Sequence, residues 1–450
     1  MKHLIASLKA GNWKTLLACF LYFDTGFTVW VMFGPLAPFI VKELALTPAQ
    51  SGFLVAVPVL TASIVRVTLG NLFQCVNGRH LALLGIGLSA IPSCVLLLPI
   101  VPSYSLLLVL GGLLGVGGAS FAIALPMAGS SYPPRVQGLV LGLAAAGNIG
   151  AVLDGFVFPG LAQRYGWQYA AAAALPMLAV ATIAILLWAQ DRSLKAGSAA
   201  RALAGFAVSL VGVIGLVLLV NAGVLGHGNS GQLLLPVLGA GLALVVLPRK
   251  YLSVLRERDT WVVMLVYSVT FGGFVGMSSY VSLLLTTQYH LTRIDAGLVM
   301  AVLSFTGAMV RPLGGLIADR LSGVRVLLVL LALIAVGNFA FAALMPPLAG
   351  GVALLAALYL AFGLGNGATF QLVPQRWKGR TGVMTGIIGA AGGIGGFYLP
   401  VIMGMARQST GSYQMGFVTF GALAAVACAL IVTLQQQWLA WANPAQASAL

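Results

Sequence analysis

Apolar runs long enough to cross a bilayer follow one another along almost the whole chain, and this leaves very few folds open. A helix needs about 20 apolar residues to traverse the hydrocarbon core. Such runs occupy roughly 15–41, 49–74, 80–101, 105–127, 137–162, 167–190, 203–226, 231–248, 260–286, 295–318, 324–346, 349–373, 381–404 and 413–436. Only 7% of the residues are charged, whereas a soluble globular chain carries about a quarter. Too few polar groups exist to cover a surface facing water. In hydrocarbon every backbone N–H and C=O must be satisfied internally, and runs of this length do that as helices. The expected fold is an all-α polytopic membrane protein with about fourteen spans. The first run, preceded by Lys2, Lys9 and Lys14, continues to Ile40 without an A-x-A-like cleavage site, so it reads as a retained helix.

The net charge of +15 would suggest a nucleic-acid partner in a soluble protein. Threading the spans from an inside N-terminus gives another account. Seventeen lysines and arginines fall on the inner side, among them Arg79, Arg135, Arg192, Lys195, Arg201, Arg249, Lys250, Arg256, Arg258, Arg376 and Arg380. The outer loops hold only Lys42, Arg164, Arg293 and Arg407. That asymmetry is the positive-inside pattern, and no nucleic-acid partner is expected. Both termini are expected in the cytoplasm.

Two arginines, Arg66 and Arg311, remain inside spans, and they belong to an internal repeat. Leu46, Thr47, Gly52, Ala56, Thr61, Val65, Arg66, Gly70 and Gly78 recur 245 positions later as Leu291, Thr292, Gly297, Ala301, Thr306, Val310, Arg311, Gly315 and Gly323. Ala146-Gly147-Asn148-Ile149-Gly150 recurs at the same offset as Ala391-Gly392-Gly393-Ile394-Gly395. Two homologous halves related by an axis along the membrane normal, with a site between them, are the architecture of the major facilitator superfamily. The expected organisation is a six-helix bundle over 1–190, a central segment 191–259 and a second six-helix bundle over 260–450. The central segment has basic clusters at both ends, so its apolar stretches 203–226 and 231–248 must cross an even number of times.

A charge at mid-bilayer costs about 2.5–3.5 kcal/mol on insertion scales. Neither arginine has a carboxylate within a helical turn, and each lies a full turn or more from its span end, which disfavours snorkelling. Two facing guanidiniums repel unless an anion lies between them. Their planar forks match flat oxyanions in a bidentate way. Asn148, an amide at mid-span, could donate to such a substrate. The acids Asp24 and Asp154 also fall inside spans, where either could carry a proton or face a water-filled cavity.

Gly315-x-x-x-Asp319-Arg320-x-x-Gly323-x-Arg325 resembles the loop between the second and third helices of each half in the major facilitator superfamily. Asp319 is expected to cap a helix and pair with an arginine in gating. The first-half counterpart, Gly70…Gln74…Gly78-Arg79, has Gln where the pattern has Asp. Two glycine stretches are more specific: Gly115-Val-Gly-Gly-Ala-Ser-Phe-Ala to Pro126, then Gln137-Gly138, Gly142 and Gly147-Asn148-Ile-Gly150, and Gly363-Leu-Gly-Asn-Gly-Ala-Thr-Phe to Pro374, then Gly382, Gly386 and Gly389 to Gly396. With Trp30-Val-Met-Phe33-Gly-Pro35 and Tyr267-Ser-Val-Thr-Phe271, they resemble the nitrate/nitrite porter family, and Leu21-Tyr22-Phe23-Asp24 with Ala122-Ile-Ala-Leu-Pro126-Met resemble its assimilatory bacterial branch. That resemblance spans roughly 12–190 and 260–436. It implies that Arg66 and Arg311 clamp the anion, Tyr267 and Asn148 hydrogen-bond it, and Phe271 and Phe121 wall it, with Gly147, Gly392 and Gly393 at the site. It also implies a bacterial cytoplasmic (inner) membrane and nitrate or nitrite as substrate; entry of an anion against an inside-negative potential makes protons a possible coupling ion, and a monomer is expected.

Cys19, Cys75, Cys94 and Cys428 form no CxxC, and the four histidines lie in the N-terminal tail or at span ends. No metal, cofactor or enzymatic constellation is expected. Besides proton-coupled uptake, nitrate/nitrite exchange and a transporter-shaped receptor remain open.

Overall fold

The computed structural model describes residues 11–133, 136, 140–141, 143–144, 146–226, 230–378 and 380–442. Gln137, Gly138 and Gly142 of the first glycine stretch, with Arg135 and His227, lie outside them. The described secondary structure is helical: α1 (Trp13–Val31), α2 (Phe33–Leu44), α3 (Pro48–Phe73), α4 (Gly78–Leu96), α5 (Tyr104–Gly118), α6 (Phe121–Ser130), α7 (Gly150–Tyr165), α8 (Trp167–Ala172), α9 (Ala174–Trp188), α10 (Ala199–Asn221), α11 (Ser230–Val246), α12 (Arg249–Val254), α13 (Arg258–Gln288), α14 (Arg293–Met309), α15 (Arg311–Leu321), α16 (Gly323–Leu344), α17 (Leu348–Arg376), α18 (Thr381–Thr410) and α19 (Gln414–Ala442). The repeat is visible in the capping. Thr47 accepts from the backbone N–H of Gln50 to start α3, and its mate Thr292 accepts from that of Asp295 to start α14.

Twelve helices among the described residues are long and apolar enough to cross a membrane, not fourteen. Of the expected spans, 231–248 folds as α11, with 17 residues, and 137–162 runs in part through residues outside the described ones. Among the described residues five of the twelve precede residue 190, one is α10 and six follow residue 257.

Several crossings are broken. α1 gives way to α2 at Met32, ahead of Pro35 and Pro38. α14 gives way to α15 at Val310, where Pro312 removes a backbone donor. The counterpart α3 runs unbroken through Arg66. The same arginine thus sits mid-helix in one half and at a helix start in the other.

The halves meet on the face that carries residues 42–49. A Cβ added at Gly52 would stand 2.3 Å from the Pro400 carbonyl oxygen, and one at Gly404 2.5 Å from that of Pro48. Gly155 meets the Gly297 carbonyl at 2.5 Å in the same sense. Small residues here let whole backbones touch, and Gln408 Oε1 accepts from the Ala49 N–H at 3.0 Å. Toward the opposite, basic face, a Cβ at Gly382 or Gly386 would meet nothing within 4 Å. The molecule is closed at one end of the joint and looser at the other.

On the basic face each half is tied by its own polar cluster. Asp191 pairs with Lys195 at 2.6 Å and accepts from the Gly78 N–H at 2.7 Å. In the second half Glu257 pairs with Arg376 (3.1 Å) and Arg380 (2.7 Å), while Asp259 pairs with Arg376 and accepts from Trp438 Nε1. Burial works against the charged form of Asp191 and Glu257. Their donors outweigh it and hold both carboxyls below the usual range. Depressed carboxyls stabilise the fold above the unfolded values of about 4 and lose that contribution as pH falls through the folded values. Asp191→Asn should accordingly flatten the acid limb of detergent-solubilised stability against pH, read by thermal unfolding. An unchanged acid limb would refute this.

The central segment forms two antiparallel helices. α10 packs on α3 and α5, α11 touches α3 and α18, and Tyr398 Oη donates to the Leu233 carbonyl at 2.9 Å. In a cysteine-free background, Ser230→Cys should react with an impermeant thiol reagent from the side that labels Lys42→Cys. Labelling from the side of Arg249→Cys would rule out a hairpin across the membrane.

Candidate functional site

Arg66 is buried among aromatic rings. Its guanidinium carbon stands 5.6 Å from the centre of the Trp30 ring, 5.4 Å from Phe121 and 5.9 Å from Phe271. Nη2 donates to the Gly118 carbonyl at 2.8 Å and Nη1 to the Gly389 carbonyl at 3.2 Å, while Nε has no partner. Hydrogen bonds to a charged group are worth about 1.5–3 kcal/mol each, and cation–π contacts about 0.5–2 kcal/mol. Together these offset the cost of holding the charge in hydrocarbon, so Arg66 can stay charged with no anion present. Glycines create this setting: a Cβ at Gly118 would stand 2.3 Å from the Trp30 ring.

Arg311 approaches from the second half. Its guanidinium stands 5.8 Å from Phe271 and 5.9 Å from Phe370, and Nη2 donates to Tyr267 Oη at 3.2 Å. Tyr267 stacks on Phe271, with centroids 5.1 Å apart and planes 2° from parallel, and meets Phe370 edge-on. The Phe271 ring is thus shared by both arginines. They line one small space with Phe23, Phe27, Trp30, Phe121, Tyr267, Phe370 and Gly389, and no carboxylate is among its walls. Its volume is about 10 Å³, room for about one water molecule. A larger ligand enters only if the walls move.

Arg66, Arg311, Tyr267, Phe271 and Phe121 therefore converge. Gly392 and Gly393 lie behind the wall: a Cβ at Gly392 would sit 2.5 Å from the Tyr267 ring, and one at Gly393 1.9 Å from Ser63 Oγ. Gly147 packs on the first span, where a Cβ would stand 2.8 Å from the Asp24 N–H nitrogen. Asn148 belongs to the 3-10 turn Ala146–Ile149, and its side chain lies outside the described part. Phe23, Phe27, Trp30, Phe370 and Gly389 went unassigned from sequence. Phe370 had a signal, since it ends the second glycine stretch much as Phe121 ends the first.

Asp24 and Asp154 face each other across α1 and α7, outside this space. Both are buried, and the Thr28 hydroxyl lies beside Asp154. Gly150 brings the helices together there, a Cβ on it falling 2.5 Å from the Asp24 carbonyl and 2.6 Å from Thr28 Oγ1. The two carboxyls interact electrostatically.

The expected gating residues are scattered on the basic face. Arg79 donates to the Leu186 carbonyl, and a Cβ at Gly70 would meet only Ala122 within 4 Å. A Cβ at Gly315 would meet only the Gly367 carbonyl, at 3.9 Å. Asp319, Arg320 and Arg325 form no ion pair among the described residues, so the expected pairing of Asp319 is not seen. Glu257 and Asp259 hold the second-half arginines Arg376 and Arg380 instead.

Two pseudo-symmetric helical halves meeting at a charged, aromatic-walled centre define a membrane transport protein, not an enzyme. A Major Facilitator Superfamily profile matches residues 18–400. The nitrite extrusion protein of Bacillus subtilis (strain 168) is 28% identical over 418 residues, 92% of this chain and 91% of that one. The probable nitrate/nitrite transporter NarK2 of Mycobacterium tuberculosis (strain ATCC 25618 / H37Rv) is 30% identical over 412 residues, covering 89% and 91%. A crystal structure of a POT family transporter in complex with a thioalcohol-conjugated peptide superposes with a TM-score of 0.71 at 13% identity, over 94% of this chain and 96% of that one. The chain belongs to the Major Facilitator Superfamily and, within it, to the porter family of these relatives.

Gly389→Ala and Gly392→Ala should separate the two glycine roles. A Cβ at Gly389 reaches Arg66 Nη1 at an ordinary 3.5 Å, whereas one at Gly392 displaces Tyr267. Substrate affinity should fall much more in Gly392→Ala, and equal effects would refute the assignment.

Proposed function

We propose that this chain carries nitrate, nitrite or both across the bacterial cytoplasmic membrane by alternating access, with both termini in the cytoplasm. The observation that carries the reading is the pair of arginines from opposite halves on one aromatic-walled space without a carboxylate. An oxyanion between them relieves their repulsion and takes up the free Nε of Arg66. Planar forks suit a planar anion, and Phe271, shared by both, supports its face. The names of the relatives support nitrate and nitrite within the oxyanion class. The closed seal on the face of residues 42–49 and the looser opposite face support an inward-facing or occluded state.

Arg66→Lys and Arg311→Lys should each lower substrate affinity by roughly 10- to 100-fold, because a point charge replaces a bidentate donor. Uptake of labelled nitrate into proteoliposomes measures this, with protein yield as the control. Near-normal uptake in either variant would sink the clamp.

Uptake is coupled to protons on this reading. An anion entering against an inside-negative potential costs about 2.3 kcal/mol per 100 mV. Asp24 and Asp154, buried and in no ion pair among the described residues, are the groups available to carry a compensating proton. An acid-outside gradient should drive accumulation into vesicles lacking internal nitrite, and Asp24→Asn or Asp154→Asn should blunt that drive. Uptake indifferent to the gradient but dependent on internal nitrite would establish exchange instead.

A further inference from the structure

The helix that the central segment adds nearest the joint stands partly off the core and leaves a groove of about 540 Å³. Ile64 and Val67 of α3 line it from the first half, Leu265 of α13 and Ile394 of α18 from the second, and Ala240 and Leu244 of α11 from the added helix. The walls are almost wholly apolar, and the hydroxyls at their edges are already committed. Ser63 Oγ donates to the Val59 carbonyl, Ser268 Oγ to that of Ala391 and Tyr398 Oη to that of Leu233. Ordered water needs two to four polar partners, so water does not settle here. At bilayer depth, a space of this size and character takes up acyl chain.

One end of the groove carries charge. Tyr251, Leu255 and Trp261 close it, and the segment they belong to bears Arg249, Arg256 and Arg258, all exposed. The acids beside them are spoken for, Glu257 by Arg376 and Arg380 and Asp259 by Arg376 and Trp438. Among the described residues the three arginines have no ion-pair partner. An apolar slot with a cationic mouth matches one molecule abundant in membranes.

We propose that this groove binds one anionic phospholipid, with an acyl chain along α11 and its headgroup at Arg249, Arg256 and Arg258. The lipid would lie across the joint between the halves, against the same stretch of α3 that bears Arg66. Its presence or absence therefore alters the packing that must rearrange in transport.

The test uses the full chain, extracted in mild detergent, washed exhaustively and examined by native mass spectrometry. It is then re-equilibrated with vesicles of phosphatidylglycerol or phosphatidylcholine. About one phospholipid per chain should survive washing, with phosphatidylglycerol preferred. Gly241→Trp should abolish retention, because a Cβ there meets nothing within 4 Å and the ring fills the slot. Ala240→Phe serves the same purpose if that variant misfolds by circular dichroism. Arg256→Ala/Arg258→Ala should keep the chain-binding slot but reduce the headgroup preference roughly tenfold or more. No retained phospholipid, equal retention in the filled-groove variant, or no preference for phosphatidylglycerol would each overturn the proposal. So would a dimer that Gly241→Trp disrupts, since a second copy would then be the occupant.

Discussion

Two like charges held close together in hydrocarbon are the constraint around which this molecule is organised. Arg66 and Arg311 come from halves that share a pattern but no covalent contact near the site. Each is made tolerable by different means: two backbone carbonyls and three rings for Arg66, one phenol and two rings for Arg311. None of these partners is an anion. A carboxylate would neutralise the charge permanently and leave nothing for a substrate to do, whereas carbonyl dipoles and ring faces stabilise the cation without removing its field. The site is thus stable when empty and still attractive to an anion.

The glycines serve this arrangement at one remove. Gly118 lets Trp30 lie flat beside Arg66, and Gly392 lets Tyr267 and Phe271 stack undisturbed. Along the closed face Gly52, Gly155, Gly297 and Gly404 bring whole backbones into contact. Contacts between backbones without side chains are easy to make and unmake, because no rotamers interlock. A joint that must open and close repeatedly gains from that smoothness.

Most of the fold was legible because the signals were strong and physical. Apolar length, the lopsided distribution of lysine and arginine, and the repeated Thr47/Thr292 and Arg66/Arg311 pairs fixed the class and the two halves. The arginines were legible through the repeat, whereas Tyr267, Phe271 and Phe121 entered only through the family resemblance. Phe23, Phe27 and Trp30 were not, since one aromatic in an apolar span looks like any other until a charge is seen beside it. Gly392 and Gly393 carry a pattern that marks close approach but does not say to what. The expected span count exceeds the twelve among the described residues because the apolar stretch 231–248 folds as a helix of only 17 residues and part of 137–162 lies outside the described ones. The Asp319 pairing failed because a motif specifies a loop, not which acid and base meet in it.

The break at Val310 gives the pseudo-symmetry a direction. Arg66 rides on a continuous helix packed on all sides, and it moves only as its whole half moves. Arg311 opens a fresh helix after Pro312 has cut the backbone ladder, held there by one phenol. One arginine is set in an unbroken support and the other beside a break. Exchanging the halves in sequence order would leave the composition of the centre intact and still make a different machine, because the arginine beside the break would then belong to the other bundle.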